Sequence, residues 1–272
     1  MLDAVTPRAP AVARAVVARG PRRSEVVRAR SDGPLRLVCP RRAGDAAWVV
    51  TSSLGGGLVD GDDVTLDLSV GAGAVALLTT QASTKVYRGA SSQRARVAVD
   101  GDGVALVVPD PVVPFAGARF TQRTDLSLSP DATVALIDVV TAGRVAYGER
   151  WSAASITSTL AVSVGERSLL VDRVRLDPAR GDLASRMGRF EAFGTALLLG
   201  PRARDLARDL LARVADTPVG RRAPVVIAAS PLGDGVIARV AGESIEAVTR
   251  AVRELVAPLC ASVGEDPWSR RW

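Results

Sequence analysis

Three carboxylates follow a glycine cluster in the first quarter of the chain and offer hard oxygen ligands. The run Gly55–Asp63 places Asp60, Asp62 and Asp63 after three consecutive glycines, with Gly61 between the first two carboxylates. Carboxylate oxygens are the ligands that hard divalent cations prefer, so this run could attract such an ion. It is not a phosphate loop, because it lacks the Gly-Lys-Ser/Thr ending and a strand pattern follows instead of a helix. Taken alone, the run is typical of a tight β turn.

A polar run follows the next apolar strand pattern. Residues Thr79–Gly89 carry several hydroxyls, an amide and Lys85, the only lysine of the chain. Buried polar groups are hydrogen-bonded or line water, so a polar run directly after a buried strand indicates a polar network or a channel wall. Lys85 has no neighbouring base or cofactor motif, so Schiff-base chemistry is only weakly indicated.

A third candidate group begins with a carboxylate inside an apolar strand pattern. Asp138 interrupts the run Val134–Val140, where a carboxylate is costly unless it is paired or solvated. The segment Gly143–Arg150 follows and contains Arg144 and Glu149. These two charges can form a surface ion pair at a turn, or the flanking glycines can bend the segment and bring the charges inward.

The composition excludes several kinds of catalytic site. The chain has no histidine, which removes the usual general base and the commonest metal ligand. Ser-His-Asp hydrolases, His-ligated zinc enzymes and Cys-His proteases are therefore excluded. The two cysteines, Cys39 and Cys260, lie too far apart in sequence to indicate a zinc cluster or a disulfide-rich secreted scaffold.

Charge is concentrated near the N-terminus. Residues 1–42 carry ten arginines against Asp3, Glu25 and Asp32, whereas the rest of the chain is nearly neutral. This segment alternates apolar and charged residues as exposed strands do, and it lacks the interleaved aromatics of single-strand nucleic-acid binders, so no nucleic-acid partner is predicted. No secretory signal and no apolar run of about 20 residues are present, so we predict a cytoplasmic protein without a membrane partner.

The elements that must position these groups are mostly strands. Val64–Val70 and Arg94–Val99 alternate with period two, and Val104–Val108 and Val134–Val140 are continuous apolar runs typical of strands covered on both faces. Pro109, Pro111 and Pro114 follow the run Val104–Val108 and favour an edge strand or a crossover connection at that point. No tandem repeat of fixed period is apparent.

The last third of the chain changes to a helical period. Arg202–Ala215 and Gly242–Leu259 each place apolar residues on one helical face, so they predict two helices. Phe190–Leu199 predicts a strand, and Val225–Ala229 with Val236–Val240 predicts a hairpin around the Pro-Leu-Gly-Asp-Gly turn. We predict one domain over residues 1–272, with a β region over about 13–185 and an α+β tail over about 186–272.

Four motifs in this order resemble the urease accessory protein UreD family, also called UreH. They are Gly-Gly…Gly-Asp in Gly55–Asp62, the ten residues Thr79–Arg88, the Pro-x-Pro-x-x-x-Phe-x-Gly-Ala-x-Phe stretch Pro109–Phe120, and Gly-Arg-x-Ala-x-Gly-Glu in Gly143–Glu149. The resemblance covers residue 13 to the C-terminus and is densest between Gly55 and Trp151. The proline stretch follows the family only loosely.

The resemblance implies a fold, a function and a set of partners. It implies a mainly β fold of layered or β-helix-like antiparallel and mixed sheets, with two helices in the C-terminal third. It implies a protein that is not an enzyme, that binds apo-urease and a UreF-like accessory protein, and that reaches a UreG-like GTPase through the latter. The family is expected to pass transient Ni²⁺ through an interior passage without a tightly bound cofactor.

Such a passage needs weak oxygen ligands that replace hydration without trapping the ion. Candidate transit ligands are Asp60, Asp62, Asp138 and Glu149. Candidate residues of the motifs, the passage or an interface are Gly56, Gly61, Thr79, Thr80, Gln81, Thr84, Lys85, Tyr87, Arg88, Arg144 and Glu149.

Two other functions remain open on the residues alone. One is a non-enzymatic β scaffold for another client complex. The other is a metal-dependent hydrolase that uses the Asp60–Asp63 carboxylates, which the absence of histidine and of a positioned base disfavours.

Overall fold

The computed structural model describes residues 11–269. Part of the arginine-rich N-terminal segment, with Asp3 and Arg8, lies outside these residues. Strands dominate the described chain, as the period-two patterns predict. They are β1 Ala11–Arg19, β2 Ser24–Ser31, β3 Leu35–Val38, β4 Ala47–Ser53, β5 Asp63–Val70, β6 Val75–Thr80, β7 Thr84–Val86, β8 Gly89–Val99, β9 Val104–Val107, β10 Val112–Pro114, β11 Ala118–Leu128, β12 Thr133–Thr141, β13 Ser155–Val164, β14 Arg167–Leu176, β15 Ala192–Leu199, β16 Val225–Leu232 and β17 Gly235–Gly242.

Within residues 11–269, three α-helices follow the long β region, one before the tail strands, one between them and one after them. They are α1 Leu183–Met187, α2 Arg204–Asp216 and α3 Ile245–Ser262, and short 3-10 turns occupy Val145–Tyr147, Pro178–Arg180 and Pro201–Ala203. None of the helices within residues 11–269 is long and apolar enough to span a membrane.

The two long helices confirm the predicted helical period of the tail. Ser244 caps α3, because its hydroxyl accepts a hydrogen bond from the Ala247 amide at 3.2 Å. Pro258 lies inside the last part of α3, and the helix continues through Cys260, which packs in the core. The short helix α1, with Asp182 as its cap, is an element that the sequence patterns did not predict.

The strands form two sheets. The first sheet has the order β14-β13-β11-β8-β5-β1-β2, and the second has the order β16-β17-β15-β12-β9-β6-β4-β3, with β7 and β10 paired at its margin. Parallel and antiparallel pairs occur in both sheets, which confirms the predicted mixed, mainly β fold. The strands of the tail extend the second sheet, because β15 pairs with β12 and β17 pairs with β15.

The central strands belong to successive coils of the chain, and each coil contains the same number of residues. In the second sheet, Ala47 pairs with Ala76, Ala76 with Ala105, and Ala105 with Val134, each 29 residues further along the chain. In the first sheet, Val64 pairs with Gln93 and Gln93 with Gln122 at the same separation. This is the β-helix-like winding that the family resemblance implies.

The period of 29 residues is a property of the strand pairing, and no tandem sequence repeat of fixed period accompanies it. The tripeptide Val-Ala-Leu begins at Val75, Val104 and Val134, but the third copy is shifted by one residue, since Val134 pairs with Ala105. All three strands are buried on both faces, which accounts for their similar apolar composition without a repeat.

The core has two layers. One lies between the two sheets and is built mainly from valine, leucine and alanine of alternating strand positions. The other lies between the outer face of the second sheet and helices α2 and α3, and includes Val248, Val252 and Leu259. The second sheet is thus covered on both faces, which explains the continuous apolar runs of β9 and β12.

The proline stretch forms β10, a three-residue strand outside the main order of the second sheet. It pairs with β7 and, through Val112 and Val140, with β12. The predicted hairpin of the tail is also present, and its turn is tighter than expected, since Leu232 already pairs with Gly235.

Candidate functional site

One row across the inner face of the second sheet is polar. Thr51 pairs with Thr80 on β6, Asp138 of β12 pairs with Thr195, and Thr195 pairs with Arg239 on β17. We call these five residues the polar row. The neighbouring row on the same face is entirely apolar and consists of Val49, Leu78, Val107, Leu136, Leu197 and Ile237. The lining of the space between the sheets therefore changes from apolar to polar between positions that are two residues apart along each strand.

The first sheet presents matching polar groups opposite the polar row. Gln93, Gln122 and Ser158 lie side by side on β8, β11 and β13. The Gln122 side-chain amide donates to Asp138 Oδ2 at 2.6 Å and to Ser158 Oγ at 2.8 Å, and Ser158 Oγ donates to Asp138 Oδ2 at 3.1 Å. Gln93 Nε2 in turn donates to Gln122 Oε1 at 3.1 Å. A hydrogen-bonded chain thus joins the two sheets at Asp138.

A cavity of about 280 Å³ lies beside this chain, between the two sheets. Its lining includes Thr51, Gln93, Gln122, Thr124 and Asp138. The predicted polar run of the sequence lines its outer part, where Gln81 and Lys85 are exposed. The residues of that run in the lining are Thr79, Thr80, Gln81, Ala82, Ser83, Thr84 and Lys85.

A second, smaller cavity of about 20 Å³ lies on the other side of Asp138. Thr124, Leu136 and Asp138 line both cavities. The second cavity is also lined by Asp172 and Thr195, and its volume is enough for one water molecule. Asp138 therefore stands between two cavities that follow one another along the polar row.

Asp138 lies deep in the protein, and its remaining accessible surface faces these cavities. Burial raises the pKa of its carboxyl group, since desolvation disfavours the charged form, and the nearby Asp172 charge acts in the same direction. The hydrogen bonds from Gln122 and Ser158 oppose this rise without cancelling it.

Two threonines of the predicted run have different roles. The Thr80 hydroxyl belongs to the polar row and interacts with Asp110, donating to Oδ2 at 3.2 Å and accepting from the Asp110 amide at 2.8 Å. Thr79 points to the opposite face of the sheet, where its hydroxyl donates to the Val108 carbonyl at 2.8 Å. The sequence placed both in one candidate group, and only their alternation along β6 separates them.

In the glycine and carboxylate turn, Asp62 accepts a hydrogen bond from within the turn, and Asp60 accepts one from β8. Asp60 Oδ1 accepts from the Ala90 amide at 2.7 Å, and Asp62 Oδ2 accepts from the Val59 amide at 2.9 Å. Neither carboxylate lines the two cavities. Gly61 takes a φ of 81°, which fits the predicted turn.

Gly56 and Leu58 are the residues of that turn that line the large cavity. Tyr87 and Arg88, at the end of the polar run, lie outside the lining. Tyr87 packs edge to face on Phe115 with ring centres 5.0 Å apart. Arg88 lies against Gly117, since a Cβ atom added at Gly117 would lie 3.2 Å from Arg88 Nε.

Arg144 and Glu149 form an ion pair beside this aromatic cluster. Arg144 Nε donates to Glu149 Oε2 at 2.9 Å, and the guanidinium lies 4.2 Å from the centre of the Phe115 ring. The hydrogen bond from Arg144 is the largest cause that lowers the pKa of Glu149, whose carboxylate also accepts from the Ala116 amide at 3.2 Å. The pair lies outside the lining of both cavities and ties the 143–149 turn to the segment before β11.

The chemistry available along the polar row is that of weak oxygen ligands. Within residues 11–269, no three histidine, cysteine, aspartate or glutamate side chains come close enough together to hold a metal ion. Two carboxylates, Asp138 and Asp172, share the second cavity with the hydroxyls of neighbouring threonines and Ser158. Such a set can coordinate a cation in passing.

Several residues of this site escaped the sequence analysis. They lie on seven different strands, and only the register of the sheets brings them together. No local sequence motif marks this register, because the Val-Ala-Leu copies on β9 and β12 are one residue out of alignment with it. The residues missed are Thr51, Gln93, Gln122, Thr124, Ser158, Asp172, Thr195 and Arg239.

Comparison with known proteins gives a consistent match. The family model described as UreD urease accessory protein matches residues 9–272. A urease accessory protein UreD of Sorangium cellulosum is 47% identical over 253 residues, which cover 92% of this chain and 80% of that protein. The Anaeromyxobacter UreD is 41% identical over 93% of this chain and 87% of its own length. A urease accessory protein D of Oryza sativa subsp. indica is 30% identical over 95% and 97% of the two chains.

Proposed function

The chain belongs to the UreD family of urease accessory proteins, and on this premise we propose that it is a non-catalytic scaffold for urease maturation. It binds apo-urease and a UreF-like accessory protein, and it reaches a UreG-like GTPase through the latter. In this role it carries no resident cofactor, and nickel is its transient cargo.

We further propose that nickel crosses the protein between its two sheets. The polar row is the observation that supports this proposal, because it crosses a core whose neighbouring rows are apolar. A cation that enters beside the Thr80–Lys85 segment meets hydroxyl, amide and carboxylate oxygens up to Asp138. These ligands can replace part of the hydration shell, and they are too few around any one point to trap the ion.

Asp138 has the central part in this proposal. It is the one carboxylate, among the described residues, that lines both cavities. Because burial raises the pKa of its carboxyl group, an arriving divalent cation competes with a proton that Asp138 binds more tightly than an exposed aspartate does. The cation leaves without difficulty, since Gln122 and Ser158 resume their hydrogen bonds to the same oxygen.

The test is nickel loading of urease by variants of the interior carboxylate. Asp138→Leu blocks the path and removes the ligand, whereas Asp138→Asn keeps the shape and removes the charge. Each is co-expressed with apo-urease and the other accessory proteins, and bound nickel, urease activity and co-purification of the UreF-like partner are measured. Asp131→Asn, on an exposed turn, is the matched control.

We expect Asp138→Leu to abolish most nickel loading and Asp138→Asn to lower it, with the partner still bound. Normal nickel loading in both variants would refute the interior route. Two results would refute the proposed role itself. One is a wild-type chain that neither co-purifies with the UreF-like partner nor supports nickel loading, and the other is urease activity that does not depend on this chain.

Exposed apolar side chains give a basis for the proposed partner surfaces. Seven large apolar residues are exposed among the described residues, and exposed apolar side chains that lie together mark a partner surface. Co-expression with the UreF-like protein is expected to raise the soluble yield of this chain, and an unbound, monodisperse chain in the mixture would contradict the partner assignment. The exposed residues are Val27, Val38, Leu54, Val59, Tyr147, Val171 and Val219.

A further inference from the structure

The polar row ends at an ion pair that bridges the two sheets. Asp172 lies on β14, the edge strand of the first sheet, and Arg239 lies on β17 of the second sheet. Arg239 Nη1 donates to Asp172 Oδ2 at 2.9 Å. The Asp172 side chain is 17% exposed and the Arg239 side chain is 50% exposed, so the guanidinium forms the solvent side of the pair.

This pair adjoins the second cavity, whose lining contains Asp172 but not Arg239. Asp172 and Thr195 both line that cavity, and Thr195 is the direct strand neighbour of both Asp138 and Arg239. From the deep carboxylate outward, the polar row therefore proceeds Asp138, Thr195, Arg239. The next strand, β16, brings the exposed Ala228 opposite Arg239, so solvent begins immediately beyond the pair.

We propose that Asp172 and Arg239 form a gate at a second opening of the interior passage, on the side opposite the Thr80–Lys85 segment. This inference rests on the proposed interior route. With the pair formed, a guanidinium stands across the opening and repels a divalent cation, while Asp172 is occupied. When the pair separates, Asp172 becomes a carboxylate ligand at the exit and the second cavity opens to solvent.

The alternative is an ion pair that only fastens two sheet edges. Arg204 and Asp234 supply the comparison, because they form a pair at 3.0 Å near the same sheet edge and line neither cavity. A fastening pair and a gate differ in one measurable property. Only the gate controls how fast a small cation from solvent reaches the second cavity.

The experiment measures the reaction rate of a thiol placed in that cavity. The reporter is Thr195→Cys in a Cys39→Ser background of the full chain. Cys260 is retained, since it is buried and burial raises its pKa to about 12, which keeps the thiol protonated and unreactive. The probe is 2-aminoethyl methanethiosulfonate, a small cation that modifies thiolates. Ser158→Cys serves as a second reporter in the same cavity if the first does not fold.

The gate predicts slow modification with the pair intact. Arg239→Ala is expected to raise the rate by up to about fivefold, the upper end of what an exposed ion pair contributes to a closed state. Arg204→Ala should leave the rate unchanged. The exchange of charges, Asp172→Arg with Arg239→Asp, should restore slow modification.

Equal rates in the wild-type and Arg239→Ala backgrounds, whether slow or fast, would overturn the gate. So would a charge exchange that reacts as fast as Arg239→Ala. Because the assay contains no urease and no nickel, these results are separate from the proposed function. Nickel loading that fails in Asp138→Leu while the rates do not respond to Arg239 would keep the interior route and place its exit elsewhere.

Discussion

Trp48 and Glu265 lie 217 residues apart in sequence and are joined by a buried hydrogen bond, in which the indole Nε1 donates to Glu265 Oε2 at 3.0 Å. The other carboxylate oxygen accepts from the Ala46 amide at 2.9 Å. Glu265 is 8% exposed, and Arg42 stacks on the Trp48 ring with its guanidinium 4.6 Å from the ring centre. The segment after α3 is thus fastened to the start of β4.

Glu265→Ala is expected to lower the free energy of unfolding by about 2–4 kcal/mol, because it leaves two buried donors without an acceptor. Glu265→Gln keeps one acceptor oxygen and should lose roughly half as much. Denaturant titration measures both. Glu254→Ala, on an exposed position of α3, is the control and should change stability by less than about 0.5 kcal/mol. Equal stability of Glu265→Ala and the control would contradict this role.

The raised pKa of Asp138 predicts a pH dependence of stability. Below the usual aspartate value of 3.8, the group is protonated in both the folded and the unfolded state, and its full contribution to stability is present. As the pH rises, the unfolded state ionises first, so stability falls until the pH passes the pKa of the folded state. Asp138→Asn removes this fall.

The measurement is the unfolding free energy of the wild type and Asp138→Asn from acidic to neutral pH, with Asp131→Asn as the control. Above pH 3.8, we expect the unfolding free energy of Asp138→Asn to increase relative to that of the wild type as the pH rises. Parallel profiles would show that Asp138 titrates as an ordinary exposed aspartate.

Nickel should bind the isolated protein weakly. The polar row supplies oxygen ligands alone, and oxygen ligands hold Ni²⁺ less tightly than imidazole or thiolate does. Calorimetry at neutral pH is expected to give no nanomolar site in the wild type, and Asp138→Asn should weaken whatever binding is seen. A nanomolar site would be incompatible with a conduit, because the ion would leave too slowly.

The Glu149 carboxylate should protect one amide in particular. Because it accepts a hydrogen bond from Ala116, Glu149→Ala is expected to speed hydrogen exchange of the Ala116 amide, whereas Glu149→Gln retains an acceptor and should change it much less. Glu166→Ala, on an exposed turn, is the control. Nickel loading measured on the same variants tests the predicted role of Glu149 as a transit ligand, and normal loading in both Glu149 variants would reject it.

Much of the fold was predictable because the hydrophobic period of each strand agrees with the faces of the sheet that are buried. Val64–Val70 alternates and lies on a sheet with one buried face, while β9 and β12 are continuous apolar runs in a sheet covered on both faces. The helix α1 was not predictable in the same way. Its five residues depend on the Asp182 cap and on burial of Leu183, and neither gives a periodic pattern.

The candidate site was predictable only where a residue was unusual within its own strand. Asp138 stood out because a carboxylate is rare in an apolar run. Thr195 and Arg239 also interrupt apolar strands, but nothing in the sequence relates them to Asp138, and only the strand register places the three residues in one row. The Asp60 and Asp62 carboxylates looked like cation ligands, whereas both accept hydrogen bonds from backbone amides of their turn and its neighbour.

The constant separation of 29 residues between paired strands has a consequence for how the chain is assembled during synthesis. Each new coil finds its partner strands in the coil completed immediately before it, so pairing can advance as the chain leaves the ribosome. At every stage the newest coil ends in an unpaired strand edge, which is a site for wrong pairing with other chains. The edge of β12 is covered only when the hairpin-bearing tail arrives, and the start of β4 is fastened only when Glu265, seven residues from the end of the chain, has been made.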